Sequence, residues 1–287
     1  MSVKRKAFEL LIWPFCAGMR YANAVTVRLA QASQPIFTAS IGKSASLRFL
    51  CPNPVTLWRA KTLLTKEPDT IKWIQNFAEE AIFFDVGANI GVYSLYAASM
   101  KAKVYSFEPE AQNYALLNRN IELNRLQNRV TAFNFALNSK FGLELLQVSS
   151  TEVGNALHSV GDHPNPYSTS PAPFPQGIAS YSLDQLVYDL GLPPPNHIKI
   201  DVDGIEPDII SGASKILADD HLRTLLVELD ETNVAHQALV PKIQAFGLNL
   251  ISKKACPLAT GTQFETVFNH IFSRLPEDIS HPIKPKS

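Results

Sequence analysis

The stretch that decides the fold is residues 81–91, AIFFDVGANIG, where an apolar run meets a turn containing two glycines. Val92 to Met100 follows with a helical pattern. Together they predict a strand, a tight turn and a helix. Gly87 and Gly91 have no side chain to block a ligand, so the backbone can turn sharply and approach it closely, with helix N-terminal amides nearby.

The alternation of strand and helix continues toward the C-terminus. Such alternation predicts a doubly wound α/β domain, with a mostly parallel sheet and helices on both faces. Further strands are expected at Lys103–Glu108, Val130–Leu137, His197–Val202, Thr224–Leu229, Leu248–Ile251 and Glu265–Phe272, and helices at Ala111–Asn124, Leu183–Leu190, Pro207–Leu217 and Val234–Phe246.

Two segments interrupt this pattern. Residues 1–68 lack the alternation, so we interpret them as an accessory N-terminal segment that precedes a catalytic domain at residues 69–287. Residues 149–178 form a proline-rich insert, and the alternatives for it are a lid over the substrate and a mobile insert without catalytic consequence.

The N-terminus contains a basic cluster at residues 4–6 and then the apolar run Leu10 to Met19, which is shorter than the ~20 residues that span a bilayer. A signal peptide is one alternative, because Ala22-Asn23-Ala24 resembles a cleavage site. The charged and proline residues around the run favour an accessory amphipathic helix that packs on the main domain or on a partner subunit, as in a homodimer. This helix is also a candidate for peripheral membrane contact.

The composition excludes several classes of protein. The 287 residues include 26 lysines and arginines against 26 aspartates and glutamates, so no net field attracts nucleic acid over long range. A basic stripe with interleaved aromatics is also lacking, so we predict no nucleic-acid partner. The cysteines, Cys16, Cys51 and Cys256, are odd in number and far apart, which favours a reducing, cytoplasmic location over a disulfide framework.

An acid at the end of the second predicted strand points to a nucleoside ligand. Glu108 can accept both hydrogen bonds of a ribose diol. A nicotinamide cofactor would use similar geometry, but Asn89 stands where the dinucleotide fingerprint needs its second glycine. Asp85 would repel a pyrophosphate and suits the ammonium of a methionine moiety. The residues therefore favour S-adenosylmethionine as the cofactor over NAD.

A second group of acids lies at the carboxyl ends of two later predicted strands, with Asp201 and Asp203 at the strand that starts at His197 and Glu228 at the following strand. Asp201, Asp203 and Glu228 are expected in the crevice at the carboxyl edge of the sheet, although Asp203 could instead cap the next helix. Their oxygens would suit magnesium or calcium. Because Asp-x-Asp at a strand end is also an ordinary helix entry, we predict no metal site.

Several ordered motifs between Ala81 and about Glu231 resemble the FkbM-type S-adenosylmethionine-dependent methyltransferases, a Rossmann-like class I family. The motifs are FDVGANIG at 84–91, FEP at 107–109, NFAL at 134–137, SLDQL at 182–186 and IKIDVDG at 198–204, followed by Glu206 and Gly212-Ala213. The resemblance implies a seven-stranded sheet with an antiparallel last strand. It also implies O-methylation of a hydroxyl on a sugar, a polyketide or another small metabolite.

The resemblance also assigns the predicted cofactor residues to parts of S-adenosylmethionine. Asp85, Gly87, Asn89 and Gly91 would line the methionine end, Glu108 the ribose, and Ala136 the surroundings of the adenine; Asp201 completes the predicted cofactor set. One departure is Asp203, which stands where the family more often has glutamate and whose side chain is one methylene shorter.

The predicted catalytic residues are Asp201, Asp203 and Glu228. A general base should remove the proton of the acceptor hydroxyl, and Asp201 is the first candidate. Glu228 and His197 are weaker candidates, since His197 is expected at the opposite edge of its strand as a surface or packed residue. The acceptor is predicted to be a small molecule or glycan. The rival hypotheses are a noncatalytic binding or assembly module and a nicotinamide-dependent oxidoreductase.

Overall fold

The computed structural model describes residues 22–26, 28, 34–42, 44–161 and 174–274. The chain divides into two compact units, Met1–Ile36 and Phe37–Ser287. In the first unit, residues 22–26 and 28 are helical, whereas the predicted helix at Leu10 to Met19 lies outside the described residues. Within the described ranges, every helix is too short or too polar to cross a bilayer.

Between residues 82 and 133, and again from residue 197, strands and helices alternate as the sequence predicts, whereas the described strands between residues 130 and 181 follow one another without a helix. The strands are β1 (Ile36–Ser40), β2 (Ser46–Leu50), β3 (Ile82–Val86), β4 (Lys103–Phe107), β5 (Val130–Phe133), β6 (Ala136–Leu137), β7 (Gly142–Val148), β8 (Ser159–Val160), β9 (Phe174–Tyr181), β10 (His197–Ile200), β11 (Thr224–Asp230), β12 (Asn249–Ala255) and β13 (Val267–Ser273). The helices are α1 (Pro54–Lys61), α2 (Pro68–Gln75), α3 (Val92–Ser99), α4 (Ala111–Leu123), α5 (Glu206–Ser211), α6 (Ser214–Ala218), α7 (Val234–Gln237) and α8 (Leu239–Gln244), with a π-helical turn at Gln185–Asp189.

The central sheet has seven strands in the order β12-β13-β11-β10-β3-β4-β5. β3, β4, β5, β10 and β11 run parallel to their neighbours in that group. β13, the last strand in the described part of the chain, is antiparallel to both β11 and β12. The predicted doubly wound, mostly parallel sheet with an antiparallel last strand is therefore confirmed.

The two faces of the sheet carry separate core clusters because side chains alternate along each strand. Phe84 and Val86 of β3 pack with residues of α5, α6 and α8 on one face. Phe83 packs with residues of α2, α3 and α4 on the other. Full burial of a phenylalanine contributes ~1.5–3 kcal/mol, so apolar residues on both sides of β3 specify a central strand.

The third predicted strand, Val130–Leu137, is two separate strands in the structure. Its first half, β5, pairs with β4, whereas its second half, β6, belongs to a different sheet. The side chain of Asn134 donates to the backbone oxygens of Glu108 and Pro109, each at 2.9 Å. These bonds hold the chain between the two halves and turn it away from the central sheet.

A second sheet, with strand order β6-β9-β7-β8, was missed by the sequence analysis. β8 and most of β9 lie inside the insert at 149–178 that was interpreted as a loop; of that insert, residues 162–173 lie outside the described part. Pro175 and Gly177 are typical of loops, but in the structure both lie in β9. Pro175 is tolerated because β6 pairs with β9 only through Ser180 and Tyr181, so the edge beside the proline needs no donor.

Two predicted helices are each divided. Pro207–Leu217 is α5 and α6, separated at Gly212, where an added Cβ would lie 2.5 Å from the backbone oxygen of Asn138. Val234–Phe246 is α7 and α8. The proposed division of the chain at residue 68 stays a prediction, but residues 37–68 belong to the same compact unit as the central sheet.

Candidate active site

The turn after β3 brings the backbone of two strands into close contact. Gly87 has φ +81°, and a Cβ there would lie 2.0 Å from the backbone oxygen of Asp201 at the end of β10. Gly91 has φ +87°, and a Cβ there would lie 2.3 Å from Leu117 of α4. Asn89 also has positive φ, at 50°. Both glycines therefore have a packing reason to be glycine as well as a role in shaping the turn.

Glu108 lies directly beside this turn. Its Oε2 accepts from the backbone N–H of Asn89 at 2.7 Å, and its Oε1 accepts from the backbone N–H of Glu110 at 2.9 Å. Burial raises the pKa of Glu108 to about 7, although these two donors oppose the shift. Each carboxylate oxygen keeps a second lone pair, so the ionised group can still accept two hydroxyl hydrogens.

A cavity of about 510 Å³ opens where the central strands end, within the usual size range for small-molecule sites. The second sheet and the segment after β12 supply further walls. The predicted site residues that line it are Gly87, Asn89, Glu108, Ala136, Asp201, Asp203 and Glu228. The structure therefore brings together most of the residues that the sequence singled out.

Asp85 and Gly91 are predicted cofactor residues that lie outside the wall of this cavity. The Asp85 carboxylate is 1% exposed, and it accepts a hydrogen bond from the hydroxyl of Ser94, which in turn accepts from Ser106 at 2.8 Å. Its Oδ1 has no hydrogen-bond partner among the described residues, and burial raises its pKa. Contact between Asp85 and a ligand stays a prediction.

Asp201 belongs to a cluster of alternating charges. Its carboxylate pairs with Lys199, which is 1% exposed. Glu67 pairs with Lys66 at 2.7 Å. One carboxylate oxygen from each of Glu67, Asp201 and Glu228 lies within 4.8 Å of the others. The oxygens could serve a cation, but the two lysines already neutralise part of the charge, so the cluster does not require a metal.

The pKa directions differ among the acids of this cluster. Burial alone would raise the pKa of Asp201, but the ion pair with Lys199 and the charge of Lys66 hold it well below its usual value. Burial and the adjacent Asp201 charge raise the pKa of Glu228 well above its usual value. The lowered pKa favours the ionised form of Asp201, and the raised pKa favours the protonated form of Glu228.

Asp203 holds a loop in place over the cavity. Its Oδ2 accepts from the backbone N–H groups of Leu157 at 2.6 Å and His158 at 3.1 Å. Burial, with the charges of Asp201 and Glu206, raises the pKa of Asp203 to about 7. Its contacts are those of a positioning residue, and the predicted catalytic role stays a prediction.

His197 is packed away from the cavity, at the opposite end of β10. Its ring stacks on Phe77 with 3.8 Å between centroids, and its Nδ1 lies 2.7 Å from the Thr224 hydroxyl. Burial lowers its pKa to about 3. The expectation that His197 is a packed histidine at the wrong edge is confirmed.

Several cavity residues were missed by the sequence analysis. Trp58, Arg59, Lys66 and Cys256 line the cavity. The first three lie in or just after α1, in the segment interpreted as accessory. Pro54 marked that segment as irregular, yet a proline in the first turn is compatible with a helix, and Asn53 caps α1 by accepting from the backbone N–H of Thr56 at 2.9 Å. The Asn53-Pro54 pair is therefore the feature of the sequence that could have predicted the start of α1.

Comparison with known proteins decides the family. A family model described as Methyltransferase FkbM domain matches residues 85–250, more than half of the chain. The chain belongs to the FkbM methyltransferase family. The FkbM match includes the turn after β3, Glu108, the acids that follow β10 and Glu228 of β11, whereas α1 and the Lys66-Glu67 pair lie outside it.

Relatives of this FkbM methyltransferase carry related descriptions. This chain is 27% identical over 218 residues to the hexuronic acid methyltransferase AglP of Haloferax volcanii, and the match covers 76% of this chain and 80% of the relative. It is 38% identical over 71 residues to the methyltransferase sdnD of Sordaria araneosa, which is 24% of this chain and 27% of that one. The solved methyltransferase FkbM of Methylobacillus flagellatus is 17% identical with a TM-score of 0.45, covering 67% of this chain and 43% of that chain.

Proposed function

We propose that this methyltransferase uses S-adenosylmethionine to methylate a hydroxyl oxygen of a sugar-like acceptor. The observation that carries the proposal is Glu108, whose carboxylate lies beside the glycine turn with a free lone pair on each oxygen. A ribose diol would donate to both oxygens. Gly87, Asn89 and Ala136 line the same cavity and leave room for the rest of the nucleoside.

The residues present fit this cofactor in size and chemistry. The cavity of about 510 Å³ is large enough for a nucleoside and part of an acceptor. Its wall combines apolar side chains with polar and charged groups that could orient a ligand. S-adenosylmethionine would supply an activated methyl group. The protein then has to align the acceptor, exclude water and receive one proton.

We assign the proton-accepting role to Asp201. It lines the cavity and its lowered pKa favours the ionised form, whereas the raised pKa of Glu228 favours the protonated form, which cannot accept a proton. The low pKa of Asp201 makes it a weak base, so the proton moves only as the new C–O bond forms. Lys199 holds the Asp201 side chain in place, since its ammonium group pairs with the carboxylate.

The acceptor class rests on AglP, the relative of this chain named as a hexuronic acid methyltransferase. We propose a sugar or sugar acid as the acceptor. The proposal that the product is a methyl ether is tested by incubating the enzyme with S-adenosylmethionine and a glucuronide or a glucoside, then treating the product with mild alkali. A methyl ether survives the treatment, whereas loss of the methyl group would reveal an ester and refute hydroxyl methylation.

Cofactor use is tested by titration of the purified chain with S-adenosylmethionine, S-adenosylhomocysteine and NAD. The proposal predicts micromolar binding of the first two compounds and none of NAD. Binding of NAD alone would support an oxidoreductase. No binding of any of the three to folded protein would support a noncatalytic module.

A further inference from the structure

Arg59 of α1 lies on the cavity wall, beyond the part of the chain that the FkbM family model matches. The capping box at Asn53 and Thr56 fixes the start of this helix. The Nε–H of Arg59 donates to the backbone oxygen of Gly154 in the loop before β8. The guanidinium is therefore held against the loop through Nε, and its two terminal nitrogens donate no hydrogen bond to the described residues.

The loop that holds Arg59 is itself fixed. The Gly154 N–H donates to Oδ1 of Asn113 at 2.6 Å, and Asn53 donates to the backbone oxygen of Val153 at 2.8 Å. Gly154 has φ +89°, and a Cβ there would lie 2.6 Å from the side chain of Thr56. Helix α1 and the loop are thus joined by several contacts, which fix the position of the Gly154 oxygen that accepts from Arg59.

Arg59 differs from the cavity's other cations. Lys66 pairs with Glu67, and the nearby Lys199 pairs with Asp201. In the described part of the chain, no carboxylate lies within 4.0 Å of the Arg59 guanidinium, although Asp201 and Asp203 act on its charge from farther away. A guanidinium has five N–H donors, and its planar fork matches a carboxylate in two parallel hydrogen bonds.

We infer that Arg59 binds the carboxylate of a ligand in this cavity. The inference rests on the proposed function, which offers two sources of such a group. One is the methionine carboxylate of S-adenosylmethionine. The other is the carboxylate of an acidic sugar, as in the substrate class for which AglP of Haloferax volcanii is named. In either case Arg59 acts on binding and orientation and leaves the transfer of the proton to other groups.

The test compares Arg59→Ala and Arg59→Lys with the control Arg48→Ala, which removes the same charge from an exposed side chain of β2 outside the cavity. Each is titrated with S-adenosylmethionine, its decarboxylated analogue, methyl glucuronide and methyl glucoside. Thermal unfolding verifies that each variant is folded. Because a hydrogen bond to a charged group is worth ~1.5–3 kcal/mol, Arg59→Ala should bind the relevant carboxylate ligand about 10- to 100-fold more weakly.

The pattern of losses identifies the source of the carboxylate. If the group belongs to the cofactor, Arg59→Ala loses affinity for S-adenosylmethionine but keeps its affinity for the decarboxylated analogue. If it belongs to the acceptor, the loss is confined to methyl glucuronide. Arg59→Lys should recover part of the loss in either case.

The inference is overturned if Arg59→Ala binds both S-adenosylmethionine and methyl glucuronide as tightly as Arg48→Ala does. It is also overturned if the two variants bind S-adenosylmethionine equally and methyl glucuronide binds neither the wild type nor the variants. The proposed function would survive that result. Failure of the folded wild type to bind S-adenosylmethionine would instead refute the proposed function, and the inference with it.

Discussion

Replacement of Glu108 by glutamine should weaken the binding of S-adenosylmethionine and remove most of its pH dependence. The substitution keeps the shape of the side chain but exchanges one acceptor oxygen for an NH₂ group and removes the charge. Loss of a hydrogen bond to a charged group costs ~1.5–3 kcal/mol, which corresponds to about 10- to 100-fold in affinity. Calorimetric titration measures the change, with the exposed Glu122→Gln of α4 as the control.

The sign of the pH effect follows from the raised pKa of Glu108, about 7. The ribose hydroxyls donate to the ionised form, so affinity should be nearly constant above pH 8 and fall below pH 7. For a single group of this pKa, the affinity at pH 6 should be about 10-fold lower than at pH 8. The cofactor has ionisable groups of its own, and the glutamine variant reports their contribution. Equal pH dependence in the wild type and Glu108→Gln would refute the assignment of Glu108 to the ribose.

Three further predictions concern the neighbouring residues. Asp201→Asn should lower kcat by about 10²- to 10⁴-fold without abolishing cofactor binding. Glu228→Gln, which mimics a protonated acid, should keep kcat within about 10-fold of the wild type. Equal losses of kcat in the two variants would contradict the assigned protonation states. Gly87→Ala should lower the free energy of unfolding, measured by denaturant titration, by at least ~1–2 kcal/mol. The reason is that Gly87 has φ +81° and that the new Cβ would overlap the Asp201 backbone oxygen. A variant as stable as the wild type would disprove the close approach. Asp203→Ala should speed hydrogen exchange at residues 157–158, and unchanged exchange would show that Asp203 does not hold the loop.

The central sheet was predictable because its strands are short apolar runs that the helices bury on both faces. Residues 81–99 contain the whole unit of strand, turn and helix. The acids at the ends of β4, β10 and β11 were predictable for the same reason, since the carboxyl ends of parallel strands meet at one edge. Glu108, Asp201 and Glu228 accordingly line the same cavity.

The second sheet and the cavity wall from α1 were not predictable from local patterns. Pro175 marks β9 as irregular, and the proline is tolerated because, among the described residues, β6 pairs with β9 only through Ser180 and Tyr181. Arg59 lies 95 positions before the glycine that holds it, so sequence spacing gives no sign of the contact. The protonation states of Asp201 and Glu228 also depend on distant lysines, of which Lys66 lies in a segment without strand or helix periodicity.

The central claim is that the cavity beside Glu108 holds the cofactor, and the most direct measurement is a crystal structure of the chain with S-adenosylhomocysteine. The account predicts that both ribose hydroxyls lie within hydrogen-bond distance of the Glu108 carboxylate and that the ligand backbone passes Gly87. A ligand bound elsewhere, or bound here with its ribose away from Glu108, would contradict it.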